Sequence, residues 1–336
     1  WLAALLTLVL AAYLALFPAL AGWACHRLDA FDGARAAFAL PALWTLAEWL
    51  RGTLFTGFPW LALGYSQVPD GALAGFAPLA GIYGVSFATV MSAALAAALV
   101  RRAWAARARA EPHWWIAAVD QPAALALAVL WASGFALGRI EWTAPAGAPV
   151  TVALVQGNVA QDLKWRADRA RETLRSYTEL AQSAAGAKLI VLPETALPMF
   201  LDMVPRDTLD ALAAHARAGG GDILIGVPER RDGRTYYNTV VSSGSAPVQY
   251  YRKSHLVPFG EFIPLKPLFG WFLDYADIPL ADFARGDAAQ QPLAVAGQRF
   301  AVNNAVHQPD AIGLVGIHRT TRHHHLQRTP FAYHAR

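Results

Sequence analysis

Hydrophobic residues are concentrated in the first 140 positions, where four long apolar runs follow one another along the chain. The runs span about residues 1–25, 38–63, 72–100 and 121–139. Each is near or above the length of roughly 18 apolar residues that crosses a bilayer as a helix. The pattern therefore predicts a multi-helix transmembrane bundle over residues 1–140. The alternative, four buried helices of a large soluble protein, is disfavoured because soluble helices normally keep a polar face.

Arginine residues between the runs predict the orientation of the helices. Arg27 and Arg35 follow the first run, whereas the connection at 67–70 after the second run has no Lys or Arg. Four more arginines follow the third run: Arg101, Arg102, Arg107 and Arg109. Connections rich in Arg stay in the cytoplasm. We therefore expect the chain after the fourth helix to emerge on the opposite, periplasmic side of a bacterial inner membrane.

The second apolar run contains one acidic and one basic residue. Glu48 and Arg51 are three positions apart and share a helix face. A charge within a membrane segment is costly unless it is paired or faces a polar cavity. Two interpretations stay open, a structural ion pair and part of a lipid or substrate cavity.

From residue 149 the pattern changes to short apolar strands that alternate with amphipathic helices. This alternation predicts an α/β domain over residues 149–303. The expected strands are 151–156, 188–192, 223–227, 238–242, 248–252 and 300–303. The expected helices are 163–185 and a second helix that ends at the glycines 219–221.

Composition narrows the possible functions. Of the 336 residues, 55% are hydrophobic and only 15% are charged, against roughly 25% charged residues in an ordinary soluble domain. A disordered or nucleic-acid-wrapping chain needs more charge and less hydrophobicity, and the net charge of +4 forms no basic patch, so we expect no nucleic-acid partner. Cys25 is the only cysteine, which excludes a disulfide framework and a cysteine-rich zinc site.

Ionisable residues follow two of the predicted strands. Glu194 comes after strand 188–192, Lys253 after strand 248–252, and Glu261 after a Pro-Phe-Gly turn. In α/β sheets, catalytic groups collect where strands end. A carboxylate can take a proton from a nucleophile while an ammonium stabilises a developing oxyanion. These residue types alone are also compatible with surface positions.

Three stretches resemble the carbon–nitrogen hydrolase (nitrilase) superfamily: VALVQGN at 152–158, LIVLPETALP at 189–198 and YRKSHLVPFGEFIPL at 251–265. That resemblance implies an αββα sandwich with a Glu-Lys-Cys triad. Together with TGFPWLALGYSQ at 56–67 and VQGNVAQDLKW at 155–165, the chain is more specifically similar to the apolipoprotein N-acyltransferases. Enzymes of that family have membrane helices, a periplasmic nitrilase-like domain and a last membrane helix. The resemblance covers about residues 1–302.

The resemblance implies a role for individual residues. Glu194 matches the general base, Lys253 the oxyanion-stabilising lysine, Glu261 a supporting acidic residue and Trp165 a substrate-binding tryptophan near the entrance. The implied reaction moves an acyl chain from a phospholipid, through a cysteine thioester, to the α-amino group of the diacylglyceryl-cysteine of an apolipoprotein. The implied partners are the phospholipid, the apolipoprotein and the bilayer. No metal or organic cofactor is implied.

The cysteine of the triad is missing. In the family a Cys-Tyr-Glu sequence directly follows a strand, and the register of the strand at 299–303 assigns the cysteine to Ala305. Cys25 belongs to the first membrane run and is expected at the cytoplasmic face, so it cannot substitute. We therefore expect the chain as written to be inactive, and a noncatalytic protein that binds lipid or lipoprotein is the alternative. A soluble-type amidase on an anchor is disfavoured because four apolar runs exceed one anchor.

Residues 304–336 are rich in His and Arg and differ in composition from the preceding domain. We expect this tail to contain no strand, to lie outside the native fold and to leave the α/β domain incomplete at its C-terminus. A frame-shifted or truncated reading frame accounts for the change, and a noncatalytic homologue is the alternative. The run His323-His324-His325 lacks the spacing of a metal site, so no metal is expected there.

Overall fold

The computed structural model divides the chain into two units, Trp1–Trp142 and Thr143–Arg336. The structure describes residues 2–29, 33–110, 113, 122–144, 148–160, 164–166, 168–233, 235–258, 260–263, 267, 282–303 and 316–318. Position 305 and most of the tail therefore lie outside the described residues.

All the secondary-structure elements described in the first unit are helices. Its helices are α1 (Leu2–Arg27), α2 (Gly33–Thr53), α3 (Ala77–Ala108) and α4 (Pro122–Gly138). Three short 3-10 helices lie between α2 and α3, at Leu54–Thr56, Leu63–Gln67 and Ala72–Phe76.

Two boundaries differ from the sequence-based expectation. The second run was expected to stay helical to residue 63, but α2 ends at Thr53. An α-helix cannot continue through this segment. Gly57 has a φ of +85°, which is not helical, and Pro59 has no main-chain N–H to donate to a preceding turn. In contrast, α3 runs past residue 100 to Ala108, so Arg101, Arg102 and Arg107 lie in its last turns rather than in a loop.

Two helical segments of the described chain are long and apolar enough to cross a membrane, Ala4–Arg27 and Ala72–Ala108. Helix α4 is apolar but shorter, and α2 carries three charged residues. Two such helices also occur in soluble cores and signal sequences, so a bundle of four spans stays a prediction.

Glu48 and Arg51 do not form an ion pair with each other among the described residues, so the ion-pair interpretation of these two residues is wrong. The Glu48 carboxylate is instead held through one of its two oxygens. Its Oε1 accepts hydrogen bonds from the Trp44 indole Nε1 at 3.0 Å and from the Leu63 main-chain N at 2.8 Å.

The second unit contains a five-stranded sheet in the order β1-β2-β3-β4-β5. Its strands are β1 (Val152–Leu154), β2 (Leu189–Val191), β3 (Asp222–Arg230), β4 (Tyr236–Gly244) and β5 (Gln249–Arg252). The first three strands are parallel, and β3, β4 and β5 are antiparallel neighbours. Glu194, which follows β2, and Lys253, which follows β5, are therefore attached to strands of the same sheet.

Alternating side chains of this sheet enter two different cores. Ile190, Ile223 and Ile225 pack with the helices α5 (Ala170–Ser183) and α6 (Arg206–Ala218) on one face. Leu189, Val191 and Leu224 lie in the core on the other face. Successive side chains of a strand point to opposite faces of the sheet. Both faces are covered, so the strands are apolar on both sides. Helix α5 begins at Ala170, seven residues after the expected start at 163.

The second core is closed by a smaller sheet of three antiparallel strands, β6 (Leu293–Val295), β7 (Gln298–Asn303) and β8 (Gly316–His318). Leu293, Val295, Phe300 and Val302 supply its apolar side chains. The described residues therefore show a helix layer and two sheets, in the order α, β, β. The expectation that the tail contains no strand is wrong for β8, which pairs with β7 because its main-chain groups complete that edge.

Gly226 on β3 allows the chain after β2 to approach closely. A Cβ at this position would lie 2.2 Å from the Pro193 carbonyl oxygen and 2.9 Å from the Glu194 Cα. We expect Gly226→Ala to lower the free energy of unfolding by about 1–3 kcal/mol, because the added methyl meets rigid backbone. Thermal unfolding of the purified chain measures the change.

Gly260→Ala is the matched control, since the nearest atom to its Cβ would be at an ordinary 3.6 Å. Equal unfolding temperatures for the two variants would contradict the close approach at Gly226.

Candidate active site

Glu194 lies in a tight turn directly after β2. The Ala196 main-chain N donates to the Pro193 carbonyl oxygen at 3.2 Å, and Thr195 between them has a φ of +46°. A positive φ is uncommon for a β-branched residue, and such conformations cluster at functional sites. The turn directs the Glu194 carboxylate to the end of the sheet rather than into its core.

Lys253 lies one residue beyond β5 and extends the pairing with β4. Its main-chain N donates to the Asn238 carbonyl oxygen at 2.8 Å, and its carbonyl oxygen accepts from the Gly286 N at 2.9 Å. The ammonium contacts two carboxylates: Nζ lies 2.9 Å from Glu194 Oε1 and 2.9 Å from Glu261 Oε1. The lysine therefore joins two acidic residues that are 67 positions apart in the sequence.

Glu261 and Asn238 complete this cluster. The second oxygen of Glu261, Oε2, accepts from the Val257 main-chain N at 2.8 Å, which fixes the carboxylate in its turn. The buried Asn238 side chain donates from Nδ2 to Glu261 Oε1 at 2.9 Å and also to Glu194 Oε1. One cationic donor, the Lys253 ammonium, and one neutral donor, the Asn238 amide, thus bridge two carboxylates that would otherwise repel each other.

The ammonium is held in its charged form. Burial alone lowers the pKa of Lys253, but the Glu194 and Glu261 carboxylates outweigh burial, so the pKa of Lys253 is raised above its usual value. The side chains of Lys253, Glu194 and Glu261 are only 17%, 29% and 14% exposed, which weakens screening by water. Lys253 therefore stays a cation at neutral pH and can stabilise an oxyanion.

The Glu194 carboxylate has one engaged and one available oxygen. Oε1 accepts from Lys253 and Asn238, whereas Oε2 makes no hydrogen bond with the residues that the structure describes. An ionised carboxylate with an available oxygen can accept a proton from a thiol or an amine nearby. The arrangement thus combines a proton acceptor with a fixed cation.

Trp165 lies beside Lys164, which contacts Glu194. The Lys164 Nζ donates to the Glu194 main-chain oxygen at 3.2 Å and lies 5.9 Å from the centre of the Trp165 ring. Burial lowers the pKa of Lys164, and the Glu194 carboxylate partly opposes that shift. Both side chains are half-buried. The binding role of Trp165 stays a prediction.

A second ion pair supports the strand that carries Lys253. The Arg252 guanidinium binds the Glu229 carboxylate in a bidentate manner, with Nη2–Oε1 at 2.6 Å and Nε–Oε2 at 2.8 Å. The Thr239 hydroxyl donates to the same carboxylate at 3.1 Å. The Gln290 side chain exchanges two hydrogen bonds with the main chain of Arg252, at 2.9 and 2.6 Å. These contacts fix the backbone immediately before Lys253.

The structure therefore brings together Glu194, Lys253 and Glu261, three residues singled out from the sequence. Sequence reasoning missed Asn238 and Lys164, which both contact Glu194. No clear signal in the sequence pointed to Asn238, because β4 contains several polar residues and only the structure shows that Asn238 is buried and needs a partner. Position 305, expected to carry the nucleophile, lies outside the described residues.

Comparison with known families gives matches in both units. Residues 1–95 match the apolipoprotein N-acyltransferase N-terminal domain, and residues 151–270 match the carbon-nitrogen hydrolase family. An apolipoprotein N-acyltransferase of Nitrosomonas europaea is 50% identical over 307 residues, covering 90% of this chain and 58% of that protein. This chain belongs to the apolipoprotein N-acyltransferase family. The carbon–nitrogen hydrolase match assigns a nitrilase-like fold to the second unit.

Further relatives carry the same name. The apolipoprotein N-acyltransferases of Chromobacterium violaceum and Methylococcus capsulatus are 46% and 42% identical over 304 and 299 residues. The matches cover 90% and 88% of this chain and 56% of each relative. The chain thus spans somewhat over half the length of these relatives.

Replacement of the central cation tests the cluster. We expect Lys253→Met to lower the free energy of unfolding by about 3 kcal/mol at pH 7, because two partly buried carboxylates lose their counter-charge. Thermal unfolding of wild type and variant at pH 7 measures the difference.

Arg175→Met is the control, because the Arg175–Glu179 pair is exposed and its loss should leave the unfolding temperature nearly unchanged. A Lys253→Met deficit no larger than that of Arg175→Met would contradict the role of Lys253 as the counter-charge of the two carboxylates.

The supporting ion pair has its own pH dependence. Burial raises the pKa of Glu229, but the hydrogen bonds from Arg252 outweigh burial and hold the pKa of Glu229 below its usual value. A depressed carboxylate pKa contributes stability that is present above the unfolded value of about 4.3 and is lost as the pH falls through the folded value. We expect Glu229→Gln to be less stable than wild type at pH 7 and to converge with it as the pH falls from about 4.3 through the lower pKa of the folded state.

Unfolding temperatures measured at pH 7, 5, 4 and 3 test this expectation for Glu229. Parallel curves for wild type and Glu229→Gln would show that the pair contributes no acid-sensitive stability.

Proposed function

We propose that this chain has the acid–base and oxyanion-stabilising part of an apolipoprotein N-acyltransferase site. The proposed overall reaction transfers an acyl chain from a phospholipid to the α-amino group of the N-terminal diacylglyceryl-cysteine of an apolipoprotein. The observation that carries this proposal is the Lys253 ammonium bound 2.9 Å from both Glu194 and Glu261, in a member of that family.

The proposed mechanism is a two-step exchange through a thioester. Glu194 takes the proton of a cysteine thiol through its available oxygen, and the thiolate attacks the ester carbonyl of the phospholipid. Lys253 stabilises the oxyanion, and the protonated Glu194 returns its proton to the departing lysophospholipid alcohol. In the second step Glu194 accepts a proton from the attacking amine, an amide forms and the thiolate leaves.

Glu261 and Trp165 have supporting roles in this proposal. Glu261 shares the charge of Lys253, so the ammonium stays fixed between the two carboxylates while Glu194 exchanges its proton. Trp165, next to Lys164, provides an apolar surface for substrate beside Glu194. No cofactor takes part in this chemistry.

The proposed location is the bacterial inner membrane, with residues 1–140 as a bundle of several spans and the second unit in the periplasm. Two sufficiently long apolar segments, the apolar α4 and the distribution of arginines support this location. The bilayer would then supply the acyl donor directly.

A second candidate function is a noncatalytic protein that binds phospholipid or lipoprotein. The observation that favours it is the sequence itself, which has Ala at position 305 and its single cysteine at position 25, in α1 of the first unit. Without a thiol at the site, the cluster would bind substrate without forming a thioester.

Restoring the thiol tests these two functions. The full chain and its Ala305→Cys variant are incubated in detergent with a phosphatidylethanolamine whose acyl chains are isotope-labelled, and covalent acyl adducts are measured by intact-protein mass spectrometry. We expect no adduct on the wild-type chain and a thioester on Ala305→Cys. Addition of Glu194→Gln to that variant should slow its formation by about 10²–10⁴-fold, because the general base is lost.

The remaining outcomes are equally informative. A thioester on the wild-type chain would contradict the hypothesis that this chain lacks the nucleophile. A folded Ala305→Cys variant that retains phospholipid without an adduct would favour the noncatalytic function. Equal rates with Glu and Gln at position 194 would contradict the role of Glu194 as general base.

A further inference from the structure

The first unit contains buried polar atoms that the fold itself does not satisfy. Thr45 Oγ1, Glu48 Oε2, and Nε and Nη2 of Arg51 are buried without a hydrogen-bond partner among the described residues. Thr45, Glu48 and Arg51 are here called the α2 polar cluster. An unsatisfied buried polar group costs about 1–3 kcal/mol, and a charged group costs more. Three such residues in one helix indicate a site that is completed by a ligand.

The spacing of the α2 polar cluster places its side chains together. Residues three apart on a helix are neighbours on its surface, and Thr45, Glu48 and Arg51 follow one another at that interval. The Tyr83 hydroxyl of α3 approaches the same end of α2: a Cβ on Gly52 would lie 2.5 Å from it. The cluster is therefore enclosed by a neighbouring helix and does not simply face solvent.

The Glu48 carboxylate is fixed by one oxygen only. Its Oε1 accepts from the Trp44 indole and from the Leu63 main-chain N, at 3.0 and 2.8 Å. The residue is only 6% exposed, so Oε2 is held in a defined direction away from bulk water. This oxygen requires a donor, such as an ammonium or a hydroxyl.

The unsatisfied atoms of Arg51 have a specific geometry. The Nε–H and Nη2–H groups lie on the same edge of the guanidinium and form the fork that binds two oxygens of a phosphate or carboxylate. The α2 polar cluster therefore matches a ligand that combines an oxyanion with a nearby hydrogen-bond donor.

The surroundings of the cluster select the source of this oxyanion. Three large apolar side chains near the end of α2 in the sequence are exposed: Trp49 (48%), Phe55 (67%) and Leu61 (84%). Arg51 is in the last turn of that helix. A polar site at the end of a largely apolar helix with exposed apolar side chains corresponds to the headgroup level of a bilayer. A free phosphate would leave this apolar surface uncovered, whereas the acyl chains of a lipid would cover it.

We propose that the α2 polar cluster binds the headgroup of a phospholipid. The phosphate accepts from the Arg51 fork, and an amino or hydroxyl group of the headgroup donates to Glu48 Oε2. This site rests on the proposed membrane location of the first unit, but it does not depend on acyl transfer or on a cysteine at position 305.

Lipid-dependent stabilisation of the full chain in detergent tests the site. The unfolding temperature and the lipids retained in native mass spectrometry are measured with added phosphatidylethanolamine, phosphatidylglycerol or phosphatidylcholine. We expect the first two lipids to bind more tightly than phosphatidylcholine, whose quaternary ammonium has no N–H for Glu48. This comparison uses only the wild-type chain and therefore stays valid if a variant fails to fold.

Variants identify the residues. Arg51→Lys keeps the charge but removes the fork, and we expect at least a roughly tenfold weaker apparent affinity for phosphatidylethanolamine. Glu48→Gln should remove the preference for phosphatidylethanolamine over phosphatidylcholine. Arg102→Lys, at an exposed position of α3, is the matched control and should bind like wild type.

Three results would overturn the proposal. The first is equal stabilisation of the wild-type chain by all three lipids. The second is a lipid response of Arg51→Lys that equals that of Arg102→Lys. The third is saturation by inorganic phosphate or O-phosphoethanolamine as effective as by lipid, which would identify a site for a free anion. A failure of Ala305→Cys to form a thioester would leave all of these measurements unchanged.

Discussion

The contacts of the Lys253 ammonium with Glu194 and Glu261 are the interaction on which the arrangement of the second unit depends. The two carboxylates come from different segments, and each lies in a turn that leaves it less than a third exposed. Such groups are tolerated side by side only when a cation and further donors compensate them. Lys253 and Asn238 supply this compensation, so the chemistry of the site and the stability of its surroundings have the same physical cause.

The sheet provides the rigidity that this cluster needs. Glu194 follows a central strand, Asn238 lies on its antiparallel neighbour β4, and Lys253 continues the pairing at the end of β5. The close approach at Gly226 and the bidentate Arg252–Glu229 pair hold the two lateral parts of the cluster in place. A site built on paired strands keeps its distances more accurately than one built on loops alone, which suits a reaction that requires a proton acceptor and a fixed cation together.

The two units treat buried charge differently. In the second unit, Lys253 and Asn238 both bind Glu194 and Glu261, and Oε2 of Glu194 stays available among the residues that the structure describes. In the first unit, Glu48 is anchored through one oxygen, and Arg51 presents an unsatisfied donor edge. A cluster whose charges bind one another is preformed, whereas an unsatisfied cluster indicates a place for a polar group from outside the chain.

The sequence by itself determined the elements and the nature of the site. Long apolar runs specified the helices of the first unit, and alternating short strands specified the α/β unit. The motifs around Glu194, Lys253 and Glu261 singled out three residues that the structure brings into contact. Local periodicity and motif chemistry are properties of neighbouring positions, which is why they could be recognised. Only the tertiary structure decided that Asn238 bridges the two carboxylates and that Glu48 bonds to Trp44 and Leu63 instead of Arg51. These outcomes depend on competition between partners brought together by long-range pairing and packing, and that competition is not encoded in the spacing of residues along the chain.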